Sequence, residues 1–168
     1  MRFCADESLS AVFDGRRGEG NFPVEQIKFN YNNAMLRICV DEGHCGTLVG
    51  QRLREPIPFS DFVDLVLKIE AILDGQDFPR AFQRKRQFQE KASAPIAFAN
   101  YVDEMMSDEA VNGAFGKVTT VIVQIVTRQN TSWQGAVFSE DKTKRTAFQS
   151  DLEFLSLMDD IMQKEENQ

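Results

Sequence analysis

Apolar and polar residues alternate along two separate parts of the chain, and each alternating part runs into an amphipathic helix. Ile27, Phe29 and Tyr31 alternate with polar neighbours, Asn32-Asn33 reads as a turn, and Leu36, Ile38 and Val40 continue with a period of two. Asp41-Glu42-Gly43 breaks that strand, and Gly46 to Leu53 resumes it with Leu48 as a core residue. Pro56 and Pro58 bracket Ile57, which predicts an edge strand or an extended entry. Ser60 then reads as an N-cap, with Asp61 and Asp64 near the positive end of the helix. Phe62, Leu65, Val66, Ile69, Ile72 and Leu73 form one apolar stripe, and Gly75 is the expected stop.

The second part repeats this order. Val118–Thr127 is rich in β-branched residues and predicts a strand. Residues 128–132 are turn-like, Trp133 to Ser139 is the returning strand, and Lys144 to Phe148 adds a short third one. Ser150 and Glu153 have capping-box spacing, and Leu152, Leu155, Met158, Ile161 and Met162 supply the helical stripe.

Sliding the chain on itself by 135 − 46 = 89 positions sets Gly46 on Gly135, Leu48 on Val137 and Phe59 on Phe148. Val63, Val66, Ile69 and Ile72 then meet Leu152, Leu155, Met158 and Ile161, and Asp64 and Glu70 meet Glu153 and Asp159. The first strand needs a one-residue adjustment in the turn. The expected fold is α+β: two tandem strand–turn–strand–helix repeats, an antiparallel sheet and pseudo-two-fold symmetry. The divisions are a loose leader over 1–26, a first repeat over 27–75, a connector with a short helix over 76–116, and a second repeat over 117–164.

Composition narrows the class. The 168 residues include 14 Phe and carry a formal net charge of −7, so a packed core is expected and the phosphate backbone of nucleic acid is repelled. No apolar stretch follows a basic start, and no run of about 18 apolar residues predicts a membrane span. Cys4, Cys39 and Cys45 are an odd set, read as free thiols in a reducing, cytoplasmic setting.

The segment Arg128-Gln129-Asn130 with Trp133-Gln134 is the best candidate binding surface, because it gathers a guanidinium, amides and an indole around one turn. Its structural alternative is that Asn130 stabilises the turn and Trp133 packs on a neighbour. Cys39, His44 and Cys45 lie close in sequence but lack the ligand count and spacing of a zinc site, and a Cys–His nucleophile pair would also need an orienting group. His44, which falls opposite Trp133 in the repeat, suits a packing role. The basic stretch Arg80–Lys91, interleaved with Phe82 and Phe88, has the composition of a single-strand nucleic-acid binder or of a solvated connector. Asp103-Glu104 and Asp159-Asp160 read as solvated helix faces, and Gly15 to Gly20 lacks the flanking elements of a phosphate loop. No catalytic residue, metal site or cofactor is assigned.

The runs at 128–137 and 147–159, "RQNTSWQGAV" and "AFQSDLEFLSLMD", resemble a family of small proteins from clostridia and related Firmicutes, with a looser likeness over 46–88. That resemblance implies a bacterial, cytoplasmic protein and supplies no activity. The expected function is a non-enzymatic binding or regulatory role through protein–protein contacts, with a homo-oligomer or an unknown protein as partner. The alternative is a small-molecule or single-stranded nucleic-acid binder using the Arg128–Gln134 hairpin or the Arg80–Lys91 stretch. Enzymatic activity is the least expected of the three.

Overall fold

The computed structural model describes residues 35–82, 96, 98–99, 101–129, 132–140 and 142–166. The 1–26 leader and the strand and turn expected over 27–33 lie outside them.

Six strands form one antiparallel sheet: β1 (Met35–Val40), β2 (Gly46–Val49), β3 (Ile57–Phe59), β4 (Thr119–Thr127), β5 (Gln134–Ser139) and β6 (Arg145–Phe148), in the order β3-β2-β1-β4-β5-β6. Two long helices, α1 (Phe62–Gln76) and α3 (Asp151–Glu166), cover one face of it, and a short α2 (Asp108–Asn112) lies between them in sequence. The core is the layer between sheet and long helices. Leu36, Ile38 and Val40 of β1 and Val121, Val123 and Ile125 of β4 meet Leu65, Ile69 and Leu73 of α1 and Phe154, Met158 and Met162 of α3. The alternation in the strands and the three-to-four spacing in the helices are the cause of this layering.

On the opposite face the segment around α2 covers β1. The buried Arg37 donates from Nε to the Ala114 carbonyl (2.7 Å) and lies 4.8 Å from the Phe115 ring centroid. Its guanidinium also pairs with Glu140 at 3.4 Å.

The two long helices begin with the same device. In α1, the Asp64 N–H donates to the Asp61 carboxylate (2.8 Å), and the Ser60 N–H donates to the Asp64 carboxylate (2.9 Å). In α3, the Glu153 N–H donates to Ser150 Oγ (3.1 Å), and the Gln149 N–H donates to the Glu153 carboxylate (2.7 Å). These are reciprocal caps. The N-cap of α1 is thus Asp61 rather than Ser60. Partial burial pushes the Asp64 carboxyl up, but the hydrogen bonds from Lys68 and Ser60 outweigh it and hold the carboxyl below its ordinary range.

Two further expectations need correction. Gly75 does not stop α1, which continues to Gln76 and is capped by Asp77 in the left-handed region (φ 49°). Gly75 is there for proximity, since a Cβ on it would run into the Phe98 ring. Leu152 is exposed at 73%, and the buried stripe of α3 runs through Phe154 instead, because Phe154, Met158 and Met162 repeat every four residues. The short helix expected in the connector is α2, five residues long.

Strand register follows from two glycine–phenylalanine pairs. Gly46 lies opposite Phe59, and Gly135 opposite Phe148. A Cβ at Gly46 would meet the Cys39 carbonyl oxygen and come within 2.8 Å of the Phe59 ring; one at Gly135 would meet the Gln124 carbonyl oxygen and come within 2.9 Å of the Phe148 ring. Each ring therefore lies over a glycine that has no side chain of its own to bury. The pairs Gly46–Phe59, Thr47–Pro58 and Leu48–Ile57 stand 89 positions (135 − 46) before Gly135–Phe148, Ala136–Ala147 and Val137–Thr146. In the first hairpins the pairs Ile38–Leu48 and Val40–Gly46 correspond to Val123–Val137 and Ile125–Gly135, so β1 and β4 are offset by 125 − 40 = 85. The β4–β5 connection is thus longer than the β1–β2 connection by 89 − 85 = 4 residues, not one.

Gly46→Ala and Gly135→Ala are each expected to lower the unfolding free energy by about 1–3 kcal/mol, the cost of overpacking a filled site. Urea denaturation checks this as a drop in midpoint with unchanged slope.

Candidate functional site

The longer β4–β5 connection carries the sequence-predicted binding residues. The ladder shifts between Ile125 and Thr127, a bulge that bends the end of β4. Beyond it Arg128 is buried, and its backbone C=O accepts a hydrogen bond from the Phe82 N–H (3.1 Å). Its guanidinium is directed to α1, where Nη2 donates to Glu70 (2.9 Å) and to Asp74 (2.5 Å). Glu70 and Asp74 stand four residues apart on one helical face, where two carboxylates repel each other, and Arg128 compensates both.

Trp133 completes the cluster. It is 2% exposed, its indole N–H donates to the other oxygen of Glu70 (2.6 Å), and its ring centroid lies 6.0 Å from that of Phe154 in α3. Ser132 ties the connection to the start of α3, donating from Oγ to the Asp151 carboxylate (3.0 Å) and accepting from the Asp151 N–H (3.1 Å). Gln134 closes the turn: its side-chain oxygen accepts from the Gln129 N–H (3.0 Å), and its amide nitrogen donates to the Gln149 carbonyl (3.2 Å). Asn130 lies outside the described residues.

The structure thus brings Arg128, Trp133 and Gln134 together, with Gln129 contributing its backbone. Arg128 and Trp133 direct their polar atoms to acids of α1, and Gln134 directs its own to the backbone. The arrangement works chemically as a clasp that locks the β4–β5 connection to both long helices. Glu70 and Asp74 were not singled out as partners of Arg128 from sequence. The available signal was a pair of acids at i and i+4 on the rim of an apolar stripe.

Burial pushes the Cys39 thiol above its ordinary range, with Arg37's charge opposing it, so Cys39 is a poor nucleophile. Cys45 is disulfide-bonded, which leaves the free-thiol reading to the buried Cys39 among the described residues. His44 packs edge-on against Phe62, 4.9 Å between centroids. Among the described residues no three His, Cys, Asp or Glu side chains are grouped to hold a metal ion. Arg80 pairs with Asp77 at 3.3 Å and Phe82 is 78% exposed; residues 83–91 of the basic stretch lie outside the described residues. An open cleft of about 740 Å³ lies beside the C-terminal half of α3, lined by Val121, Val137, Leu157, Ile161, Lys144 and Lys164. No helix among the described residues is long and apolar enough to cross a membrane.

No protein-family model, curated protein or solved structure matches this chain.

The clasp makes a prediction that separates a structural from a ligand-binding role. Arg128→Ala is expected to destabilise by about 2 kcal/mol, less than the ~3–5 of a fully buried pair because Asp74 is 53% exposed. Trp133→Phe should cost about 1 kcal/mol for the lost hydrogen bond. The Arg128→Ala, Glu70→Ala double variant should lose less than the sum of its singles. An unchanged denaturation midpoint in Arg128→Ala would assign the guanidinium to a ligand instead.

Proposed function

We propose that this chain is a non-catalytic binding protein that acts through protein–protein contact, and that the outer edge of β6 is its contact surface. The observation that carries this is the difference between the two edges of the sheet.

Ladder phase determines which backbone groups point outward. In β5–β6 the Ser139 N–H donates to the Lys144 carbonyl (3.0 Å). Antiparallel pairs alternate between bonded and non-bonded, so Thr146 and Phe148 bond to β5 while Arg145 and Ala147 turn their N–H and C=O groups outward. Among the described residues β6 has no strand on that side, and Arg145, Thr146 and Ala147 are exposed. At the opposite edge, the position matching Ala147 is Pro58, which has no N–H, and Pro56 stands two residues before it. Lys68 Nζ donates to the Pro58 carbonyl, so the outward acceptor is taken as well. One edge is closed by the means proteins use against unwanted strand pairing, and the other is open. An open edge binds an added strand through its main chain.

The same geometry supports a reading of the chain as a duplicated unit. The Arg37–Ile122 pair, 122 − 37 = 85 positions apart, is flanked by Leu36–Val123 and Ile38–Val121, as a two-fold axis through the β1–β4 ladder requires. The glycine–phenylalanine pairs and the reciprocal caps recur on either side of that axis. In this reading the contact edge and the closed edge are equivalent strands that diverged. Kinship with the small Firmicutes proteins belongs to the same proposal; the disulfide at Cys45 removes the free-thiol argument for a cytoplasmic setting, which now rests on that kinship alone. The alternative ligand site at the Arg128–Gln134 hairpin has less support, since the guanidinium and indole are already bonded within the chain.

The test is capture from a cell lysate with the tagged chain and with Ala147→Pro, which removes one outward N–H and no bond to β5. The expected outcome is a protein partner retained by the parent chain and lost by the variant, with circular dichroism unchanged. Partners retained equally by both would remove β6 from the contact.

A further inference from the structure

The chemistry along β6 points to a particular occupant of its edge. We infer that β6 pairs antiparallel with β6 of a second copy of this chain, about a two-fold axis through Thr146, joining two six-stranded sheets into one. This rests on the reading of β6 as the contact surface and deepens it by naming the partner.

Self-complementarity is the argument. Arg145 and Ala147 carry the outward N–H and C=O groups, two residues apart, on either side of Thr146. Turned about Thr146, Arg145 of one copy faces Ala147 of the second copy, and each exchanges both main-chain bonds with the other. The axis position is then a non-bonded pair, where side chains approach most closely, and it holds two threonines, a favourable cross-strand match. No like charges face each other across the ladder. Shifting the register to put Arg145 on the axis would set two guanidinium groups opposite each other, so charge disfavours that register.

The flanks match in charge. β6 is preceded by Lys142 and Lys144, which follow Asp141 and the Arg37-paired Glu140, and it begins with Arg145; beyond Phe148 the chain enters the acidic first turn of α3 with Asp151 and Glu153. In an antiparallel self-pairing the basic end of each strand lies beside the acidic end of the other. The arrangement is isologous and closes at two copies, because among the described residues β6 is the open edge and the β3 edge is shut by Pro58 and Lys68. It also admits a chain with net charge −7, since the local contact pairs opposite signs.

The experiment uses the full chain in sedimentation equilibrium over a wide concentration series. The weight-average mass should rise from 19.1 kDa towards twice that value. Ala147→Pro should stay monomeric at every concentration while keeping the parent circular dichroism spectrum and urea midpoint. Thr146→Cys supplies a second readout independent of proline: under mild oxidation with copper phenanthroline it should form a covalent dimer that the parent chain does not form, whereas Lys164→Cys on α3 should not. A parent chain that stays monomeric throughout overturns the second copy as partner, and the lysate capture above still decides whether β6 binds another protein. A dimer that survives Ala147→Pro, or that fails to cross-link through Thr146→Cys, overturns it equally.

Discussion

Register in the antiparallel sheet is the constraint on which the rest of this molecule depends. A slip of one residue would turn Ile38, Leu48, Val123 and Val137 away from α1 and α3 and empty the core. Two features resist that slip. Gly46 and Gly135 leave room that Phe59 and Phe148 fill from the next strand, so any other pairing strands a large ring without its slot. Each ring is at most 3% exposed, and burying one stabilises the fold by about 1.5–3 kcal/mol. With the sheet in register, the reciprocal caps start both helices just after the edge strands and aim them back across the same face.

Both sides of the sheet carry a glycine–phenylalanine pair and a capped long helix, and the differences between the sides give the molecule its character. Four extra residues in the β4–β5 connection reach over to α1 and place Arg128 and Trp133 against Glu70. The shorter β1–β2 connection makes a 3₁₀ turn at Glu42–His44 and lays His44 on Phe62 of its own helix. A second difference is at the edges: Pro56 and Pro58 stand where the other half has Arg145 and Ala147. The first difference ties the second hairpin to the first helix. The second leaves β6, among the described residues, with main-chain groups that no neighbouring strand pairs.

Much of this was legible from periodicity. The strands around Ile38, Leu48, Val123 and Val137, the edge character of Ile57, and the stripe through Leu65, Ile69 and Ile72 all follow from local spacing, because burial on one face imposes a period on the chain. The misplaced features have a common cause. Gly75 looked like a helix stop, but Phe98, distant in sequence, needs its empty space. Leu152 looked like core, but the buried stripe of α3 runs through Phe154, Met158 and Met162. Arg128, Trp133 and Gln134 meet around one turn, yet the polar partners of Arg128, Glu70 and Asp74, lie more than fifty positions away, beyond any local pattern.

The chain's own pattern of residues therefore determined the class of fold, the main strands and long helices among the described residues and the proline protection of one edge, since each depends on spacing between near neighbours. Tertiary structure alone decided that Arg128 and Trp133 face inward, that β1 and β4 join the halves into a single sheet, and that β6 ends it with outward-pointing amides. Those outcomes depend on which distant groups meet and on the phase of the hydrogen-bond ladder, and neither is written in local periodicity.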